Sequence, residues 1–500
     1  MSNNDIPLIL RTKKIYGRLI NYKAFYIIHC TGDTKMTSRR KFLSTSAAMI
    51  TALPVFSAPV TASEKDLAAA GEYFDPGQKL VRDGQKAAKK GKKNNIPPVL
   101  REEILDNPRA VFLIRTSFES QKDSDGKFPP DKEQFARTGY DTVLKMFSKG
   151  SEKGGTTYIK PNFVGGFNAD SRSVNNGVST HPWFVAGFCD ALKGMGNTNI
   201  VVGANGAAQH NNFVESGICE LIHTHGVCFT EGKYQHWKDY TSSEITWVDN
   251  PEGVVMHQVP FFKLTKEKDT TFINMAKDRI HQLGFTTLTI KNLQGIMPVG
   301  YMHICRPWSS QQDAVNLQPG KKIFNPDYQK LIEKGYVRHA NMGYKYWDEG
   351  GYTKAYFDAG GWEAFQSGDF EPDYKVFWGE QWGQRMMDVA SNIHPCVNMV
   401  EGIVGIDGAG KLHLNNYITI SRSMVECDAV AAWLMGQDPR ELPYLRIANE
   451  RGMGQNDLDR IKIYEITDRE IKEVKDFRML ERAHMGVHVY TTKGAPLRFF

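Results

Sequence analysis

Within "KDRIHQLGFTTLTIKNLQG", residues 277–295, the apolar positions Leu283, Phe285, Leu288, Ile290 and Leu293 belong to a core, yet Lys277, Arg279, His281, Lys291 and Asn292 are threaded among them. Upstream, "IKPNF" adds Lys160 and Asn162, and "VVGANG" adds Asn205. Together these side chains form a set of donors suited to a carboxylate or phosphate. A buried lysine or arginine is costly unless paired, so a buried cluster calls for an anionic partner. An anionic small molecule meets that need, and so does an internal salt-bridge network with Glu401 and Asp407 of "EGIVGIDGAGK". Two carboxylates so close to glycine-rich backbone are also candidates for a divalent metal or for acid–base work. His281, Lys291 and Glu401 are the catalytic candidates. Lys160, Asn162, Asn205, Lys277, Arg279 and Asn292 are the anion-binding candidates, and Asp407, Glu401 and His303 the metal-ligand candidates. A lone histidine is commonly a hydrogen-bonded core residue, and no H-x-x-x-H or H-E-x-x-H spacing raises His281 above that alternative.

The elements that must position this set read as an alternation. "AVFLIRTSF" and "TTYIKPNF" have strand character. "THPWFVAGFCDALKGMG" predicts a helix, with Pro182 in its first turn, Thr180 or His181 as cap and a glycine stop. "TNIVVGANG" predicts a buried strand, "NNFVESGICELIHTHG" a helix and "VCFTEG" a strand, with Asn205 and Glu231 near strand ends. Strand and helix alternating over short connections predict an α/β fold, with a doubly wound, mostly parallel sheet and helices on both faces. Ligands in such sheets bind beyond the carboxyl ends of the strands. "DTTFINMAKDRIH" reads as a strand whose exit carries Lys277, Arg279 and His281, and "FTTLTIKNLQG" as a helix stopped by Gly295. In the later "SRSMVECDAVAAWLMG", Asp428 is an odd charge at the start of an apolar helix.

Residues 1–62 carry nine Lys/Arg against two Asp/Glu, so the net charge of +6 resides in the leader and the body is close to neutral. That distribution gives no basis for nucleic-acid binding. "MTSRRKFLSTSAAMITALPVFSAPVTA", residues 36–62, has the twin-arginine context of a Tat export signal, with small residues ending at Ala62. Residues 1–35 are expected to be an over-extended start, and 63–105 a basic linker. The expected partners are the Tat translocase during export and an anionic small molecule, in a periplasmic or extracellular location with no stable membrane span after cleavage. Tat export carries folded chains, so a divalent metal or an organic cofactor inserted in the cytoplasm is a candidate passenger. The cysteines show no C-x-x-C spacing, and Cys189 and Cys427 sit in apolar runs that suit core packing.

One or more α/β lobes are expected over 106–305, and a second part of the same domain with the C-terminal region over 383–500. Residues 306–382, with Tyr344, Trp347, Trp362, Trp378 and Trp382 among many aromatics, form an insertion between them. Its rings can stack on a sugar or can build a small core of their own. No nucleophile elbow and no Walker A loop is present.

The ordered set "IKPNF", "STHPWFVAGFCDALKGMG", "AKDRIHQLGFTTLTIKN", "MVEGIVGIDGAGK" and "CDAVAAWLMGQDP" resembles the prokaryotic family known as domain of unknown function 362, over roughly residues 156–438. The resemblance implies an α/β fold and no assigned activity. Lys160 and Asn162 match the family's Lys-Pro-Asn motif, His281 its Lys-x-Lys-Thr-His motif and Lys291-Asn292 its Lys-Asn pair. Arg279 and Ile280 replace the second lysine and the threonine. Glu401 stands where an aspartate is usual, Asp407 where a glutamate is, and Lys411 where a proline is. Three functions follow as expectations: an enzyme with an inter-lobe cleft for an anionic small molecule, a periplasmic binding or sensing module with the same site, and a carbohydrate-contacting protein using the aromatic insertion.

Overall fold

A computed structural model describes residues 91–119, 132–163, 177–204, 221–222, 224–225, 228–231, 245–281, 284–297, 382–407, 411–468 and 470–485. The expected leader, Asn205, His303 and all of the aromatic insertion except Trp382 lie outside these residues, as does most of the helix expected before residue 226. No helix among the described residues is long and apolar enough to cross a membrane.

Fourteen strands are described: β1 (Val99–Leu100), β2 (Val111–Arg115), β3 (Phe147–Ser148), β4 (Thr156–Pro161), β5 (Ile200–Ala204), β6 (Cys228–Glu231), β7 (Ile245–Asp249), β8 (Gln258–Phe262), β9 (Thr270–His281), β10 (Phe285–Thr286), β11 (Val397–Ile406), β12 (Leu412–Ser421), β13 (Ile463–Ile466) and β14 (Ile471–Glu473). Nine of them form one sheet in the order β14-β13-β2-β12-β11-β9-β4-β5-β6, with β10 folded back onto β9. The run from β11 through β9, β4 and β5 to β6 is parallel throughout. β12 pairs antiparallel with both neighbours, β11 and β2. Early and late parts of the chain therefore share one sheet, with β12 and β11 from the C-terminal part inserted between β2 and β9.

Helices cover both faces, as the alternating pattern requires. On one face α1 (Lys132–Met146) and α2 (Pro182–Gly194) pack Phe135, Val143, Phe184 and Phe188 against Ile159, Ile273, Met275 and Met399 of the strands. On the other, α3 (Thr289–Asn292), helical residues 382–390, α4 (Met424–Leu434) and α5 (Pro443–Glu450) pack against Tyr158, Phe272, Ala276 and Val400. The central strands are covered on both sides, which is why β11 and most of β9 are buried without polar alternation. Trp382 is fully buried and meets Tyr444 edge-on at 5.6 Å, so this one described member of the aromatic set serves the core. Cys189 and Cys427 are buried free thiols in the two cores, in keeping with packing, and Cys396 is half-buried and free.

Two segments depart from the sequence reading. The helix expected over 285–295 begins only at Thr289: Phe285, at φ 60°, instead turns the chain so that Phe285 and Thr286 pair with His281 and Ile280. Lys277, Arg279 and His281 lie in the last residues of β9, as the strand read from "DTTFINMAKDRIH" has them. The last residues of the expected linker are also built into the fold. Asn95 is buried, its Oδ1 accepting from the Thr198 and Asn199 amides at 2.9 and 3.1 Å.

Candidate functional site

The single turn α3 is far too short to be stable alone. Its free amides are held from outside by Asp428 of α4, whose Oδ1 accepts from the Thr289 amide at 2.7 Å and the Thr289 hydroxyl at 2.5 Å, while Oδ2 accepts from the Ile290 amide at 3.1 Å. The carboxyl is buried, which pushes it up to about 7 against the opposing pull of these hydrogen bonds. The odd charge in the apolar helix is thus the cap of a different helix, the one that carries Lys291 and Asn292.

From α3, Asn292 reaches the sheet. Its Nδ2 donates to the Lys160 carbonyl at 2.9 Å and to Asn274 Oδ1 at 2.8 Å; Asn274 Nδ2 in turn donates to Asn398 Oδ1 at 2.9 Å. Asn398 of β11 and Asn274 of β9 sit in register, and Asn274 stands beside Lys160 of β4. Because Nδ2 of Asn292 is spent as a donor, its Oδ1 must face Lys160, and it accepts from Nζ at 2.9 Å. The only other bond of Nζ among the described residues goes to the Pro161 carbonyl at 2.7 Å.

That bonding count has a chemical meaning. A neutral amine has two N–H groups and one lone pair, whereas an ammonium has three N–H groups. Two carbonyl acceptors satisfy the neutral form and leave its lone pair unspent; the charged form would bury a third donor without a partner among the described residues. Lys160 is 2 % exposed and makes no ion pair among the described residues. Burial first, and the positive charge of Lys291 second, push its amine down to about 7. Lys291 runs past Gly284, where an added Cβ would stand 2.7 Å from Lys291 Cε, so the glycine makes room for the lysine stem.

The position in the sheet matters as much as the partners. β4 leads toward α2 on one face, while its parallel neighbour β9 leads through β10 into α3 on the other. Adjacent parallel strands that send their connections to opposite faces open a crevice at their carboxyl ends, where doubly wound sheets bind ligands. Lys160 stands at that end of β4. His281, at the end of β9, accepts from the Gly284 amide at Nδ1 over 3.2 Å, so a neutral ring carries its proton on Nε2. Burial of the ring, then Lys291 and Arg279, hold it well below the usual histidine range, although the residue as a whole is only half-buried.

The remaining candidates separate from this group. Lys277 lies on the opposite face, with Nζ 2.8 and 2.7 Å from the two oxygens of Glu401. Glu401 also accepts from the Ile403 amide at 3.0 Å and from the His181 amide at 3.2 Å, where α2 begins. Both charges are essentially inaccessible, and every carboxylate oxygen is engaged. Asn162 Nδ2 donates to the Val178 carbonyl at 3.0 Å, and its backbone exchanges bonds with Thr180, so it ties down the entry to α2. Asp407 accepts from the Lys411 amide at 2.8 Å and pairs with His413 Nε2 at 2.9 Å. Glu401 and Asp407 share no partner in these bonds, and among the described residues no group of three or more His, Cys, Asp or Glu side chains is gathered to hold a metal.

Three residues were missed by the sequence reading: Asn274 and Asn398, which complete the amide chain, and Asp278; His181, read as a candidate cap of α2, does stand at its N-terminus. The first two had a signal, since "INMAK" and "VNMVE" place an asparagine at the same offset before Lys277 and Glu401 in two apolar strands. His181 is buried, with its ring stacked on Phe135 at 3.7 Å; burial first, then Lys277 and Lys132, keep it well below its usual range. Asp278 is fully buried and pushed up to about 7 by that burial; its Oδ2 accepts from Asn415 Nδ2 at 2.6 Å and its Oδ1 has no partner among the described residues.

Comparison with known proteins adds one finding. The sequence model of a family described as Domain of unknown function (DUF362) matches residues 157–433, more than half of the chain and all of the residues just described from Lys160 to Asp428. No curated protein and no solved structure matches the chain.

Proposed function

The chain belongs to the DUF362 family, and from that premise we propose that it is an exported enzyme acting on a small carboxylate-bearing molecule at the carboxyl ends of β4 and β9. Lys291 holds the carboxylate. Lys160 supplies the reactive group, a near-neutral amine that labilises a proton on carbon beside a carbonyl or carboxyl group. A base poised near the working pH is what such a proton transfer needs. The observation that carries this reading is the bonding of Lys160: two neutral acceptors, no counter-ion among the described residues, and a second cation beside it.

Deuterium incorporation from heavy water into small oxo- and hydroxycarboxylates, followed by nuclear magnetic resonance, tests it. Lys160→Met should slow exchange by about 100-fold or more, and Lys291→Met should weaken carboxylate binding by roughly tenfold, the order expected for one lost charge contact. Binding that depends on Lys291 without any exchange would make the chain a binding or sensing module instead. Exchange and binding unaltered in both variants would remove the site.

Export by the Tat route is part of the same proposal and rests on "SRRKFL" and the small-residue end at Ala62. Replacing Arg39 and Arg40 together by lysine should retain the protein in the cytoplasmic fraction, and undiminished export would refute the route.

A further inference from the structure

We propose that the Lys160 amine forms a covalent imine with the carbonyl carbon of a small 2-oxo acid whose carboxylate is held by Lys291. This rests on reading the crevice as an anion site, and it replaces direct proton abstraction by a covalent route.

Three observations favour it. The two N–H groups of a neutral Lys160 point to Asn292 Oδ1 and the Pro161 carbonyl, so the unspent orbital is the nucleophilic lone pair. Asn292 cannot rotate away from this duty, because its Nδ2 is committed to the Lys160 carbonyl and to Asn274. A desolvated lysine beside a second cationic group is the environment in which amines attack carbonyl carbon. The downward push on Lys160 from burial and Lys291 agrees with the geometry.

The step balances without any redox partner. The nitrogen lone pair attacks the carbonyl carbon and the C–N bond forms as the π electrons move to oxygen. Both amine hydrogens then leave with that oxygen as water, giving C=N, and one proton taken up from solvent makes the iminium. A single N–H remains, and either Asn292 Oδ1 or the Pro161 carbonyl can accept it. The iminium withdraws electrons from the neighbouring carbon, so its C–H exchanges with solvent.

The full chain is incubated with pyruvate and sodium cyanoborohydride near pH 7, and the reduced adduct is mapped on proteolytic peptides. The expected result is one dominant adduct on Lys160 in the unaltered protein, absent from Lys160→Arg. Acetone, which lacks the carboxylate, should label Lys160 roughly tenfold less, and Lys291→Met should abolish that preference. Because the wild-type map alone locates the adduct, the outcome does not depend on a variant that folds poorly. Adducts scattered over surface lysines, or absent, overturn the imine. If acetate still binds in a Lys291-dependent manner in that case, the anion site survives; if it does not, both readings fall together.

Discussion

Lys160 and Lys277 are both buried lysines on neighbouring strands, yet the sheet between them gives them opposite chemistry. Lys277 faces Glu401, whose remaining acceptor capacity is taken by the amides of Ile403 and His181, so a charged pair is complete in itself. Lys160 faces carbonyl oxygens and a second lysine, so among the described residues its charged form lacks the partner that Lys277 has. Burial makes both side chains sensitive to their partners, and the partner decides whether the lysine is a strut or a reagent.

The widest separation between the two should come from Glu401→Ala, which leaves Lys277 charged and unpaired in the interior. Denaturant unfolding should then show a loss of about 3–5 kcal/mol, and an effect near zero would mean that Lys277 does not depend on its carboxylate partner. Next in size is a pH effect. The Lys160 amine sits at about 7 in the folded chain and near the ordinary lysine value when unfolded. The unfolded state therefore holds more protons between these values, and this residue's contribution to stability rises as pH increases from about 7 toward 10.5. Lys160→Met should remove that rise, on the order of 4 kcal/mol across the window; an unchanged profile would put Lys160 in the same class as Lys277.

Asn274→Ala probes what holds the reactive lysine in place. It deprives Asn292 and Asn398 of their shared partner and should cost about 1–3 kcal/mol, while lowering the labelling of Lys160. Normal labelling in this variant would show that the amide chain does not position the amine. The smallest effect is expected at Asp278, which adjoins Lys277 in β9 and is raised to about 7 by burial. Here the folded state holds more protons, so the contribution is full at low pH and is lost as pH rises from the ordinary aspartate value through about 7. Asp278→Asn should flatten that fall, measured by thermal unfolding across pH, and an unchanged fall would assign it to another group.

Much of the frame was legible from residue patterns. Pro182 in a first turn, the apolar spacing through Leu192 and the glycine after it specify α2, because those signals act within a turn or two of helix. The strand runs of β4, β5 and β9 were equally visible, since a strand covered on both faces must be apolar along its length. The segment after β9 was misread because its fate is set by distant groups. Phe285 adopts a positive φ to pair with His281, and Thr289 begins a helix only because Asp428, far along the chain, meets its amides. Aspartate in an apolar helix reads as an anomaly until the second helix it caps is in view.

The chain by itself determined the alternation of strand and helix, the presence of several lysines and asparagines near strand ends, and the family to which they belong. Those are properties of local spacing and of motif order. Only the tertiary structure decided which lysine meets a carboxylate and which meets carbonyl oxygens. A two-residue period puts successive side chains on opposite faces of a sheet, and strand order, which no local pattern encodes, brings Glu401 to Lys277 and Asn292 to Lys160. The protonation of a buried amine follows from that pairing, because it is the sum of desolvation and neighbouring charge at one point in space.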